Sequence, residues 1–218
     1  MSVPTLSYEE ALEAMKKNRA DVPTSMNAFY SSALGGIVTD PAAMQVPFDD
    51  KGIHQGHSIF DTCNIANGKV YALEFHLERF GRSIALAQIR AAPTIDEIRS
   101  IILQTCAAAV KAAGDDRSGA VRFWMSMGQG NISAAEQVEG SKPALFYVQV
   151  GGLGQTQLEQ RGHQGSDFSG MSQADMKAAS VPTTLVPMKP GILAKCKSTN
   201  YMLNSVRPPA LTVNASRP

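Results

Sequence analysis

The sequence is short of charge, of cysteine and of long apolar runs, and each shortage excludes a class of protein. Charged residues make up 18% of the 218 positions, with 20 Lys and Arg against 19 Asp and Glu, a formal net charge of +1. A dedicated nucleic-acid binder concentrates basic residues to neutralise phosphates, and a polybasic membrane module does the same for anionic lipid. Neither fits this balance. No stretch approaches the roughly 18 consecutive apolar residues of a bilayer-spanning helix. Glu9, Glu10 and Glu13 stand where a signal or transit peptide avoids acids, so the sequence predicts a cytoplasmic protein without nucleic-acid or membrane partners. Cys63, Cys106 and Cys196 are odd in number, far apart and outside any Cys-x-x-Cys spacing. That excludes a disulfide framework and a zinc ribbon, and predicts free, buried thiols. With 44% hydrophobic residues, the chain can bury the core of one large domain or two modest ones.

Ser7-Tyr8-Glu9-Glu10 has the form of a capping box and predicts a helix over residues 8–20. Residues 28–39 are rich in strand formers interrupted by Gly35-Gly36, and read as two short strands or one bulged strand. Asn67-Gly68 accepts the positive φ values of a type I′ turn, so residues 58–66 and 69–73 predict a hairpin. Leu77, Phe80, Ile84 and Ala87 recur at helical spacing, predicting a helix over 75–89 with Arg79 off the apolar stripe. Thr94-Ile95-Asp96-Glu97 forms another capping box, ahead of a long helix that stops at Gly114. Residues 120–127 and 144–150 read as buried strands. Because the hairpin is antiparallel, the fold class is α+β rather than a doubly wound parallel sheet. Residues 151–177 are rich in Gly, Gln and Ser without an apolar period and predict a linker. Residues 178–188 predict a further strand, limited by Pro182 and Pro187.

Several motifs carry chemistry on paper. His54-x-x-His57-x-x-x-Asp61 has the spacing of three metal ligands on a helical face. Gly52 and Gly56 argue against a helix there, so the segment reads as a polar turn entering a strand, with no metal site. Cys63 beside these histidines suggests a nucleophilic pair, but a cysteine inside a strand is usually packing. Gly151-Gly152-Leu153-Gly154 lacks the capped helix that a dinucleotide loop requires. Lys197 has apolar neighbours in Cys196, Met202 and Leu203, and a lysine so placed can form an imine with an aldehyde cofactor. Tyr201, four residues on, can reach the cofactor's phenolate oxygen. Alone, the pentapeptide fits an exposed lysine beside a helix cap better, and Arg79 alone fits a solvated helix face.

Three blocks in order change that weighting. His54-Gln55-Gly56-His57-Ser58-Ile59-Phe60-Asp61-Thr62, then Glu74-Phe75-His76-Leu77-Glu78-Arg79-Phe80-Gly81-Arg82-Ser83, then Val186-Pro187-Met188-Lys189-Pro190 followed by Lys197-Ser198-Thr199-Asn200-Tyr201 together resemble the class IV aminotransferases. These are pyridoxal-phosphate enzymes that include D-amino-acid and branched-chain aminotransferases and aminodeoxychorismate lyase, and the chain is most similar to the D-amino-acid-aminotransferase-like group of plants. The resemblance implies that Lys197 holds the cofactor and shuttles a proton, that Arg79 binds its phosphate, and that Tyr201 faces the ring hydroxyl. It implies a small two-layer α/β domain over residues 1–150, a linker over 151–177 and the start of a larger cofactor domain over 178–218. The implied cofactor is pyridoxal 5′-phosphate, the partners are an amino acid and a 2-oxo acid, and the assembly is a homodimer.

The departure lies after the lysine. Members of the family continue through a helix and strands that bring an acidic residue to the pyridine nitrogen, whereas after Asn204 this chain reads Ser205 to Pro218 without them. The expectation is therefore a C-terminally truncated member with an incomplete second domain. Its function is amino-group transfer or, alternatively, that of an inactive product acting as a dimerising or partner-binding domain. A lyase on the same fold is a further reading.

Overall fold

A computed structural model describes residues 2–20, 25–115, 118–130, 143–153 and 191–200. Ser7 and Glu10 close a reciprocal capping box at the start of α1 (Tyr8–Ala20), with backbone-to-side-chain distances of 2.7 and 3.2 Å. The strand-rich run after it forms β1 (Met26–Ser31) and β2 (Gly36–Val38), resolving the open choice as two strands. β3 (Ser58–Ala66) turns through Asn67 and Gly68, at φ 50° and 68°, into β4 (Lys69–Val70). β5 (Ser118–Ser126) and β6 (Leu145–Gly151) complete a six-stranded sheet, ordered β2-β1-β6-β5-β3-β4 and antiparallel throughout. The register of β1 against β6 is irregular between Met26 and Ala28.

Two helices cover one face. α3 (Leu73–Leu86) lies against β3, and α4 (Ile95–Ala113) against β1, β5 and β6. α4 opens on the Thr94/Glu97 capping box and stops at Gly114, whose φ of 67° needs no Cβ. Alternation along the strands sends Ile59, Cys63, Val121, Phe123, Phe146 and Val148 to the helices. There the Phe80 ring meets Phe123 edge-on, 4.9 Å between centroids and 79° between planes. Each such side chain contributes about 1.5–3 kcal/mol on burial. The opposite face carries Phe60, Arg122, Trp124, Tyr147 and Gln149, partly covered where Phe29, Leu145 and Tyr147 meet Val38, Met44 and Val46. The architecture is α+β in two layers.

Three local expectations shift. The second arm of the hairpin stops at Val70, because Ala72 turns left-handed at φ 53° and α3 begins at Leu73, which puts Leu73 into the core. α3 ends at Leu86, and Gln88 at φ 55° reverses the chain so that Ile89 returns to the core. Residues 55–57 are the polar turn entering β3, as read, but Gly52, read as arguing against a helix, lies inside one helical turn, α2 (Lys51–His54). Asp50 caps it by accepting the Gly52 N–H at 2.7 Å, and a Cβ on Gly52 would stand 3.0–3.1 Å from Asp50, Ser126 and Ser58. Gly52 is there for close packing, not to break a helix. Leu153, inside the expected linker, is still buried, and its N–H donates to Asn27 Oδ1 at 3.1 Å. The rest of that linker, the strand expected over 178–188 and Tyr201 lie outside the described residues.

Candidate active site

The early half of β3 has a free edge because β4 pairs only with Ile65 and Ala66. The segment after α5 (Gly191–Lys195) occupies that edge. Phe60 N–H donates to the Lys197 carbonyl at 2.8 Å, Thr199 N–H to the Ser58 carbonyl at 3.0 Å, and Ile59 bridges Ser198. Asn200 Nδ2 donates to the Gly56 carbonyl at 3.0 Å. Gly56 stands at φ 66°, where a Cβ would come 2.6 Å from Asn200 Oδ1, so a larger residue would be strained and would push the Asn200 side chain from this join. On the helix side, Lys197 N–H reaches Ser83 Oγ at 3.4 Å.

Strand alternation then decides where the side chains go. Lys197 and Thr199 lie opposite Phe60 and Ser58 and share their face, the one turned away from the helices. Lys197 Nζ sits 4.6 Å from the Phe60 ring centroid, and Arg122 Cζ lies over the same ring at 5.2 Å. A cleft of about 330 Å³ opens here, lined by Phe60, Arg122, Trp124, Gln149 and Thr199.

Arg79 goes elsewhere. Asp61, one residue after Phe60 and therefore on the helix face, is fully buried. It accepts Arg79 Nε at 2.7 Å and Nη2 at 2.6 Å, pairs with His76 Nδ1 at 2.9 Å and accepts the Thr62 N–H at 2.7 Å. Burial pushes the Asp61 carboxyl up, but the hydrogen bonds from Arg79, His76 and Thr62 outweigh it and hold it below the usual range. The Arg79 side chain is 46% exposed and meets Asp61 through Nε and Nη2, which leaves Nη1 for another anion. The amine and the guanidinium thus flank neighbouring residues of β3 from opposite faces. Tyr201 is not among the described residues.

Asp61 entered the sequence reading as a candidate metal ligand and as part of the first family block, without a partner. Its real signal is parity: it falls among Ile59, Cys63 and Ile65 on the inward positions of β3, and a carboxylate there demands a cation. Arg122 and Trp124 were missed as well, and their outward parity on β5 is the only hint of them. The three residues spaced as metal ligands disperse. His54 Nε2 pairs with the Asp49 carbonyl at 3.3 Å, His57 Nε2 with the Ala87 carbonyl at 2.8 Å, and Asp61 with Arg79. Among the described residues, no group of three or more His, Cys, Asp or Glu is placed to hold a metal ion.

All three thiols are buried. Burial pushes Cys63 and Cys106 up to about 12, with Asp61 adding to the shift at Cys63, and burial raises Cys196 too. Such thiols are poor nucleophiles at neutral pH. Iodoacetamide at pH 8 is expected to leave Cys63 and Cys106 unmodified in the folded chain and to alkylate both in denaturant. Fast native labelling of Cys63, read by mass spectrometry, would contradict this burial.

An antiparallel sheet backed by two helices, with a lysine carried to its open face by a segment laid on the sheet edge, defines an α+β protein with an amine-bearing cleft. The chain belongs to the amino-transferase class IV family, whose model matches residues 58–206. It is 34% identical over 203 residues to the D-amino-acid transaminase, chloroplastic, of Arabidopsis thaliana, covering 93% of this chain and 48% of that protein. The chain therefore spans about half the length of that curated relative. Among solved structures, the fold IV-transaminase CpuTA1 from Curtobacterium pusillum is 28% identical at a TM-score of 0.42, covering 52% of this chain and 37% of that one. A hypothetical aminotransferase from Mycobacterium tuberculosis, in PLP-bound form, is 24% identical at a TM-score of 0.45, covering 56% and 38%. Among the described residues no helix is long and apolar enough to cross a membrane.

Proposed function

We propose that the chain is part of a pyridoxal-phosphate-dependent transaminase that moves an amino group between an amino acid and a 2-oxo acid. The carrying observation is the Lys197 amine, set 4.6 Å over the Phe60 ring at the cleft. The residues on the open face fit the cofactor's ring: Lys197 would hold it by its amine, and Phe60 and Trp124 are flat apolar walls for it. Arg79, the proposed phosphate clamp, does not line this cleft; its Nε and Nη2 are tied to Asp61 on the helix face of β3, so only Nη1 is left to a phosphate. Tyr201 is proposed to face the ring hydroxyl. Bound there, the cofactor supplies an aldehyde carbon that receives the amino group and a ring that withdraws electrons from the substrate Cα.

The chain's own residues do the rest. Lys197 Nζ is the base that takes the α-proton and the acid that returns it. The ring faces of Phe60 and Trp124 exclude water from that transfer. Arg122 places a guanidinium over the same Phe60 ring, its Nε donating to Thr62 Oγ1 at 3.2 Å, and its Nη groups can receive a substrate carboxylate. Residues 1–150 would form the small domain, 151–177 the linker and 178 onward the start of the larger domain, with a second copy of the chain bordering each site.

A single-turnover assay tests this. The chain loaded with pyridoxal phosphate and given amino acids of either hand is expected to yield pyridoxamine phosphate and the matching 2-oxo acid, resolved by chromatography. Release of ammonia with the cofactor returned unchanged would mark lyase chemistry instead. A chain that takes up no cofactor, and shows only self-association by light scattering, would leave the noncatalytic dimerising domain.

A further inference from the structure

Resting on the transaminase reading, we propose that the Tyr147–Asp50 hydrogen bond fixes Trp124 as the rigid wall of the cleft beside Lys197, so that Trp124 sets how large a substrate side chain the cleft admits. The strand registers place Phe60 opposite Trp124 and Trp124 opposite Tyr147, one row of rings across three strands with Lys197 Nζ over the first. Trp124 stacks on Tyr147 at 5.2 Å and 28°, and Phe29 stacks behind Tyr147 at 6.0 Å and 15°. Tyr147 is fully buried, and its hydroxyl donates to Asp50 Oδ2 at 2.5 Å.

Asp50 is itself tied at both ends. It is 1% exposed, its Oδ1 caps α2 through the Gly52 N–H, and its backbone bridges Gln129. Burial first, and then the bond to Asp50, push the Tyr147 phenol up, so it stays a donor. Neither Asp50 nor Tyr147 lines the cleft, so both act through Trp124. Of the five lining side chains, Gln149 is long and flexible, Thr199 is small, Arg122 is tied by Nε to Thr62 and Phe60 lies beneath the Lys197 amine, whereas Trp124 is large and held from behind.

Reduced phosphopyridoxyl adducts of alanine and phenylalanine test the wall by calorimetry, without turnover. The wild-type chain is expected to bind the alanine adduct tighter, and Trp124→Ala to shift the ratio toward the phenylalanine adduct about tenfold. Trp124 is the chain's only tryptophan, so its emission reports the wall directly. Tyr147→Phe, which keeps the ring and loses the hydroxyl, is expected to raise acrylamide quenching of Trp124 about twofold, and Asp50→Asn to raise it less, because its single amide oxygen cannot accept from both the Gly52 N–H and the Tyr147 hydroxyl. If both adducts bind and Trp124→Ala leaves their ratio unchanged, the size-setting role is overturned while the transaminase reading stands. If neither adduct binds the wild-type chain, the transaminase reading fails and this role falls with it. Unchanged quenching in Tyr147→Phe overturns the positioning pair by itself.

Discussion

Lys197→Ala is expected to abolish attachment of pyridoxal phosphate to the chain while leaving the fold almost untouched. The main-chain ties of this residue, the carbonyl that accepts the Phe60 N–H and the N–H near Ser83 Oγ, survive in alanine. What goes is the amine above Phe60, whose cation–π contact at a partly exposed site contributes about 0.5–1 kcal/mol to stability. Chemically the loss is total at one atom and large at the next. Among the described residues no lysine lines the cleft itself, and Lys197 stands beside it over the Phe60 ring, so the borohydride-stable label expected on wild type disappears. Losing the proposed general acid–base group is expected to add a fall of about a hundred- to ten-thousandfold in turnover. Peptide mapping after borohydride reduction, paired with a melting curve, checks both halves. Label retained by the Lys197→Ala variant at wild-type yield would show that another amine holds the cofactor.

Arg79→Ala is expected to cost about 3 kcal/mol or more at neutral pH, because it strips a buried carboxylate of its two strongest donors. Asp61 is fully buried whereas Arg79 is 46% exposed, so the penalty falls on the acid left behind. The pH dependence has a definite sign. In the wild type the Asp61 carboxyl lies below its ordinary 3.8, so it contributes stability that is fully present above about pH 4 and is lost as pH falls through the folded value. In Arg79→Ala, burial without the guanidinium raises the folded value above 3.8, and acid relieves the penalty by protonating the group. Urea unfolding is therefore expected to show a wide gap between wild type and variant at pH 7 and a narrow one near pH 3. A gap of equal size at both would mean that the Asp61 charge is not what Arg79 compensates. Adding Asp61→Asn to Arg79→Ala is expected to recover much of the loss at pH 7.

Local signals were legible wherever the deciding contacts lie within a few residues. The two capping boxes, the Asn67-Gly68 turn and the helix stop at Gly114 are all closed by neighbours in sequence, and the structure places them as read. The errors sit where a distant neighbour prevails. Gly52 looks like a helix breaker until Ser58 and Ser126 are packed against it, and Leu73 reads as strand until the core beneath it is built.

The sequence by itself determined the α+β class, the order of the elements and the three blocks that mark the class IV family, because propensity, capping and spacing are written in consecutive residues. Only the tertiary structure decided which faces those residues serve. Pairing Lys197 to Thr199 onto the free edge of β3 sends the amine to the open face with Phe60, and the next residue along, Asp61, binds Arg79 on the other. A pleated strand reverses direction at every residue, and its register with a segment over a hundred positions away is set by edge hydrogen bonds that no local pattern encodes.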